Sequence, residues 1–367
     1  MNLVFLLPEI YRPWKQNFAR RFELLSRRCS GYIFTRSATR YRSLRLANFQ
    51  LYSAPIGHST IARALHSLLT QVGLPLRVLR GAPRLDAVIS YDPYASGFAG
   101  VILARLFRAK LIVEINGDYH TTEPSLQPLK NRLMRALFRF SLNHSTAIKV
   151  LNAAQQEYVA RHYPQKPIYR FADFVAVDYF QSLQCYQGNY LLAVGYPFEL
   201  KGMDVLIRAF ALISSRHPAM HLRIMGYCPQ SELRQYQRLT QGNPRIHFIP
   251  PGWIEDVGEQ MRGCYALVNA ARTEAMGKVH LEAMACAKPI VATRTNGGIT
   301  CIEEGRTGLL SEINNVDGLA RNLDYLFSNP LLATEMGRAG YERGRAYFSE
   351  EQYVQCFLSM LEEVVLA

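Results

Sequence analysis

The sequence predicts an α/β protein built from two doubly wound parallel-sheet domains. Three observations carry that prediction. The chain has 367 residues, enough for two domains with separate cores at about 100–200 residues each. Short apolar runs rich in β-branched and aromatic residues alternate with longer amphipathic stretches, the pattern of βαβ units. The alternation lapses between Gln165 and Asn189 and then restarts, which marks a linker.

Taken in order, strand-like Leu3–Leu7 is followed by helix-like Lys15–Arg28 and strand-like Gly31–Thr35. Asp86–Ser90 precedes a helix over Gly97–Phe107, and Lys110–Ile115 is a near-continuous apolar run suited to a parallel strand covered on both faces. In the second half, strands are expected at Tyr190–Val194, His221–Met225, Ile246–Ile249, Ala266–Asn269 and Pro289–Ala292. Helices are expected between them at Met203–Arg216, Gln230–Gln241, Asp256–Arg262 and Val279–Ala285, with helical segments thereafter. The expected division is residues 1–180, residues 186–345 and a terminal segment 346–367. In such sheets ligands collect at the carboxyl ends of the strands, where loops enter helix N-termini that favour anions.

The net charge is +13 and the pI about 9.5, so a polyanionic partner is a natural expectation. The charge is uneven: residues 1–180 hold 25 Lys plus Arg against 10 Asp plus Glu, whereas residues 181–367 hold 17 against 19. A basic first half suits nucleic acid, an anionic membrane surface or phosphorylated substrates, and composition does not choose among them. Seven scattered cysteines without a C-x-x-C pair point away from zinc and towards a reducing, cytosolic compartment. The apolar start is stopped by Pro8 and Glu9 and reads as a buried strand, and the apolar stretch Ala95–Phe107 is too short to span a bilayer.

Three strand-end loops stand out. Gly195-Tyr-Pro-Phe-Glu-Leu-Lys-Gly202 places Lys201 near a helix N-terminus. There a lysine either neutralises a phosphate or is a solvated neighbour of the cap. Thr273-Glu-Ala-Met-Gly-Lys-Val-His-Leu-Glu282 puts Glu274 in a loop and Glu282 on the second turn of the following helix. Carboxylates so placed suit the vicinal hydroxyls of a ribose and a sugar ring. A turn is expected at Gly297-Gly298, with Thr307-Gly308 downstream.

The ordered set resembles the retaining glycosyltransferases called glycosyltransferase family 4. It comprises Gly195 with Lys201-Gly202, Glu274-x7-Glu282 followed by Ala283-Met284-Ala285, Lys288-Pro-Ile-Val-Ala-Thr293, Gly297-Gly298 and Gly305-x-Thr307-Gly308-Leu309. The resemblance covers about residues 186–345. It implies a GT-B fold of two facing Rossmann-like domains, with the nucleotide-sugar donor on the second, the acceptor on the first, and a last helix, Glu350–Val365, crossing back. It implies that Lys201 binds the donor diphosphate, Glu282 the ribose hydroxyls and Glu274 the transferred sugar. Gly195 and the backbone at Met276, Gly277, Lys278 and Val279 would lie against sugar and phosphates. Lys201 and Glu274 are the expected catalytic pair.

Two features depart from the family. Tyr196 stands where an arginine usually supplies a second diphosphate cation; either Lys278 or an arginine of the basic half replaces it, or the site binds phosphate more weakly. The usual Pro-Glu after Gly297-Gly298 is absent. In the first domain Asn116 takes the place of a family histidine; with Gly117, Asp118 and His120 it either contacts sugar or acceptor or forms a polar turn. His217 and His221 are broken apart by Pro218, and no Asp-x-Asp occurs, so no metal or other cofactor is expected.

The expected activity is metal-independent, retaining sugar transfer from a nucleotide-diphosphate sugar to a saccharide or lipid-linked acceptor. The segments Arg12–Arg28 and Lys130–Phe140 mix Arg/Lys with Phe and Leu at helical spacing, which suits either an anionic membrane or a core-facing stripe with a basic outer face. A peripheral enzyme of the cytoplasmic membrane face, building polysaccharide or lipopolysaccharide, is the favoured reading. A phosphorylase or epimerase on the same scaffold, a nucleic-acid-binding protein and a silent scaffold are the alternatives.

Overall fold

Each apolar run flanked by turn residues becomes a strand, and the two halves of the chain build separate sheets. The computed structural model describes residues 1–9, 16–37, 42–55, 69–118, 128–175, 188–249 and 254–366. One unit comprises Met1–Ala172 with Tyr353–Ala367, and the other Asp173–Gln352.

Among the described residues the first unit holds a sheet of β1 (Asn2–Glu9), β2 (Ser30–Ser37), β3 (Arg42–Leu46), β4 (Phe49–Pro55), β5 (Ala87–Ser90), β6 (Lys110–Ile115), β7 (Ala147–Val150) and β8 (Ile168–Arg170). Their order is β3-β4-β2-β1-β5-β6-β7-β8. All neighbours are parallel except β3 and β4, an antiparallel edge pair whose polar alternation does not stand out in the sequence. The helix Gln16–Leu25 buries Phe22 and Leu25 completely, with Phe22 edge-on to Phe5 at 5.0 Å. Its apolar stripe is therefore core, while Arg27 and Arg28 are exposed, which is the core-facing alternative expected for Arg12–Arg28. Arg21 is itself buried, bonding Glu114 at 2.9 Å and lying over the rings of Phe5, Tyr353 and Phe357.

The segment from Tyr353 completes this first unit. Phe357, fully buried, stacks on Phe5 at 6.1 Å and meets Phe171 edge-on. Glu362 and Glu363 pair with Arg28 (3.1 Å) and Tyr169 (2.9 Å). The break after the first sheet falls at Ala172, earlier than the expected residues 180–186. Asp173 pairs with Lys278 (3.1 Å), and Val175 lines a small cavity with Leu281 and Ala285, all within the second unit.

The second unit's sheet contains β9 (Tyr190–Val194), β10 (His221–Met225), β11 (Ile246–Ile249), β12 (Ala266–Asn269), β13 (Ile290–Thr293) and β14 (Gly308–Ser311). Its order is β11-β10-β9-β12-β13-β14, and every neighbour is parallel. Both β12 and β13 are buried at all four positions, as covering both faces of a parallel strand requires. Leu206 and Phe210 of the helix Met203–Ile213 and Leu323 of the helix Val316–Ser328 fill one core with Leu191, Leu222 and Val268. No helix among the described residues is long and apolar enough to cross a membrane.

Truncating Phe357 removes the central ring of the contact between the terminal helix and the first sheet. Phe357→Ala should cost about 3–5 kcal/mol of unfolding free energy by chemical denaturation. A loss below about 1 kcal/mol would show that the helix is not anchored by this core.

Candidate active site

The strand order of the second sheet reverses between β9 and β12: the chain runs outward through β10 and β11, then returns to the other side of β9. A doubly wound sheet opens a crevice at the carboxyl ends of such a pair, because the loops leaving it diverge. The loop after β9 carries Lys201 and the loop after β12 carries Glu274, and the structure brings them together: Lys201 Nζ lies 2.5 Å from Glu274 Oε2. Their side chains are 20% and 17% exposed, low enough to strengthen the attraction and high enough for a ligand to reach.

Gly195 makes room for this pair. Its φ of +143° is one that side-chain-bearing residues rarely adopt, and an added Cβ would lie 2.9 Å from Cε of Lys201. The two loops are joined beside it. The Arg272 N–H donates to the Leu200 carbonyl at 2.8 Å, and the Arg272 guanidinium grips Asp204 with two bonds of 3.0 and 2.8 Å. Burial alone would raise the Asp204 carboxyl, but the bonds and charge of Arg272 outweigh it and hold it below the usual carboxylate range. This clamp is absent from the sequence reading. Its only signals were an arginine two residues before Glu274 and an acid in the first turn of the helix at Met203.

The segment Glu274–Gly277 is pinned from the other side. The Gly297 N–H donates to the Glu274 carbonyl at 2.7 Å, and the Cys301 thiol donates to the Met276 carbonyl at 3.1 Å. Gly297 and Gly298 form no free turn: they lie in the first turn of a short helix, Asn296–Cys301, whose cap Thr295 accepts from the Gly298 N–H. Gly277, at φ +73°, caps the helix Lys278–Ala285 without any side-chain bond, and its carbonyl accepts from the His280 N–H at 2.8 Å. On its second turn the Glu282 carboxylate has no hydrogen-bond or ion-pair partner among the described residues. Burial pushes it up to about 7 against the opposing charge of Lys278.

The other expected residues fare differently. Lys278 is half exposed and engaged with Asp173, while Tyr196 is 43% exposed and packs edge-on to Tyr227 at 5.5 Å. Glu303, downstream of the missing Pro-Glu, is paired with Arg306 and Arg343. Asn116, Gly117 and Asp118 belong to the first unit and are held in its interior polar network. The Asn116 amide donates to the Tyr91 carbonyl (2.9 Å) and to Glu114 (3.1 Å), while Gln155 donates to Gly117 and Asp118. His120 lies outside the described residues. His217 turns to Asp324 (2.7 Å) and His221 to His247 (3.0 Å), so the two share no ligand position.

Residues 179–343 match the family described as glycosyl transferases group 1, and residues 16–170 match the glycosyl transferase 4-like domain. An uncharacterized glycosyltransferase of Haemophilus influenzae is 27% identical over 71% of this chain and 72% of its own. The lipopolysaccharide core biosynthesis glycosyltransferase LpsE of Rhizobium meliloti is 27% identical over 47% of this chain and 49% of its own. Among solved structures, the Anabaena protein HepE in complex with UDP-glucose superposes with a TM-score of 0.72 at 15% identity, covering 98% of this chain and 99% of that one.

Glu282 also predicts a pH dependence of opposite sign to that of an ordinary paired carboxylate. Its folded-state value of about 7 exceeds the unfolded value near 4.5, so the folded state holds the proton more tightly. Stability is lost as pH rises from about 4.5 to 7 and is flat above. Glu282→Gln should therefore be more stable than the parent at pH 8, by on the order of 1–3 kcal/mol, with the gap closing below pH 4.5. Equal gaps at both pH values in thermal melts would sink this reading.

Proposed function

Because the chain belongs to the glycosyltransferase family 4-like enzymes of the GT-B fold, we propose that it moves a sugar from a nucleoside-diphosphate sugar to a hydroxyl acceptor with retention at the anomeric carbon. The observation that carries this is the Lys201–Glu274 pair at the reversal of the second sheet. In the transition state negative charge grows on the departing diphosphate while the sugar becomes oxocarbenium-like. Lys201 and the positive end of the dipole of the helix Lys278–Ala285 are the groups able to receive that charge, in the role a divalent cation plays elsewhere. Glu274 orients the sugar hydroxyls, and Glu282 accepts from the ribose hydroxyls.

The acceptor in this reading is a lipid-linked saccharide of a surface polysaccharide or lipopolysaccharide, and the enzyme works on the cytoplasmic face of the membrane. The similarity to LpsE supports the first part. The helix Pro128–His144 supports the second: Arg132, Leu133, Arg135 and Arg139 are all exposed, Leu133 by 61%, so cations and an apolar side chain share one open surface.

Lys201→Ala and Glu282→Ala should each lower kcat/KM about 10²–10³-fold in donor hydrolysis and transfer assays, with circular dichroism unchanged. Parental rates in both would remove the assignment. Reversing Arg132, Arg135 and Arg139 to Glu should weaken binding to phosphatidylserine-containing vesicles at least about 10²-fold, at roughly 1 kcal/mol per charge near the surface, while leaving nucleotide release in solution intact. Unaltered vesicle binding would reject the membrane-facing role of this helix.

A further inference from the structure

The helix Asn296–Cys301, which pins the Glu274 loop, has only six residues, and a helix that short does not persist on its own backbone bonds. Its first turn is fixed by the Thr295 cap and by the bond from the Gly297 N–H to the Glu274 carbonyl. Its last turn ends in the carbonyls of Thr300 and Cys301, which have no acceptor role left within the helix. Cys301 is fully buried, so leaving its carbonyl unpaired would be costly.

The partner comes from a distant part of the unit. Arg343, on the helix Pro330–Tyr347, donates from Nε to the Cys301 carbonyl at 2.7 Å and from Nη2 to the Thr300 carbonyl at 3.2 Å, while Nη1 pairs with Glu303. Its side chain is 19% exposed, and the guanidinium carbon lies 5.2 and 5.9 Å from the ring centroids of Tyr347 and Phe348. All three nitrogens are engaged with protein groups, so Arg343 acts through the backbone it holds. A planar fork fixes direction as well as distance.

That backbone presents Glu274. Cys301 takes the arginine on its carbonyl and donates its thiol to the Met276 carbonyl at 3.1 Å, so one residue joins Arg343 to the loop. At the other end of the short helix, a Cβ on Gly297 would lie 2.9 Å from Cγ of Glu274 and 2.7 Å from the carbonyl carbon of Met276. The helix therefore lies directly against the segment, and a shift of its C-terminal end moves the contacts on both Glu274 and Met276.

We propose that Arg343 is a positioning residue for the sugar end of the donor: by holding the last turn of the helix Asn296–Cys301 it sets, through Gly297 and Cys301, where the Glu274 carboxylate stands. This rests on the donor reading above, in which Glu274 addresses the sugar hydroxyls and Lys201 the diphosphate. Lys201 belongs to the loop after β9, which Arg272 ties in place. Loss of Arg343 therefore spares the diphosphate contact and weakens the sugar contact.

The test is calorimetric titration of UDP, UDP-glucose, GDP and GDP-mannose into the full chain and into Arg343→Met, Arg343→Lys and Glu303→Gln. Methionine removes the fork. Lysine keeps a charge opposite Glu303 but cannot span two carbonyls. Glu303→Gln removes the ion pair and leaves both carbonyl bonds. Both Arg343 variants should bind the nucleotide sugar about tenfold more weakly, since displacing a positioned group by about 1 Å costs up to about 10²-fold. Their affinity for the free nucleotide should stay within about threefold of the parent, as should both affinities of Glu303→Gln. An arginine that only stabilised the fold would weaken both ligands alike or neither. Equal losses for both ligands, an unchanged nucleotide-sugar affinity, rescue by lysine, or an equal defect in Glu303→Gln overturns the proposal. Should the Arg343 variants fail to fold, Cys301→Ala carries the test, because it removes the thiol bond and keeps the carbonyl on Arg343. It should show the same selective loss at about threefold, the scale of a weak donor, and an unselective or absent loss overturns the proposal. Failure of the parent to bind either nucleotide sugar would instead overturn the donor reading.

Discussion

The site depends on the two-point grip of Arg272 on Asp204. Two loops that leave adjacent parallel strands have no reason to stay together: the ladder that joins β9 and β12 ends before either loop begins. The grip spans them, with the Arg272 backbone adding a bond to Leu200, one residue before Lys201. Bidentate guanidinium–carboxylate geometry fixes direction as well as distance. Lys201 and Glu274 then face each other as a consequence. Their contact neutralises a partly buried ammonium and carboxylate in the unliganded protein. Under the proposed donor reading, a diphosphate entering the crevice would compete with Glu274 for the lysine and free that carboxylate for hydroxyl groups.

How far this was legible in the sequence follows from what each residue answers to. Tyr190–Val194 and Ala266–Asn269 are near-continuous apolar runs, and His221–Met225 and the edge strand Ile246–Ile249 keep apolar residues around a single interior polar one, so all four were read with their observed limits. Lys201 and Glu274 were singled out because phosphate and hydroxyl recognition allows few residue types, and the structure brings the two together; Glu282 falls on the helix after Gly277, where the sequence placed it. Arg272 and Asp204, 68 residues apart, were not: either alone reads as a surface charge, and only the tertiary fold pairs them. The polar edge strand Arg42–Leu46 was missed because an edge strand is not obliged to be apolar.

The basic first half teaches a related point about charge counting. Its surplus invites a single explanation, yet Arg21 and Lys149 lie inside the unit. Arg21 is neutralised by Glu114 and packed on three aromatic rings, and Lys149 lies 3.4 Å from the Asn116 carbonyl oxygen with its ammonium over Phe171. Such cations hold the terminal helix and β7 in place and present nothing to a polyanion. The surplus that reaches solvent is narrower, and the helix Pro128–His144 carries a share of it beside an exposed leucine.

The same reasoning bears on the tyrosine that replaces a second phosphate cation. Lys278 is the obvious substitute by sequence, but it is tied to Asp173 at 3.1 Å and half exposed, so drawing it to a phosphate means breaking that pair. Tyr196 brings no charge; it leans on Tyr227 at the rim of the crevice, where the backbones of Gly195 and Gly226 approach so closely that the two following side chains emerge side by side. Under the proposed donor reading, Lys201 is the cation left for a diphosphate, so the burden falls on what holds the Glu274–Gly277 loop in register: the Arg272 clamp on one side, and Gly297 and Cys301 on the other.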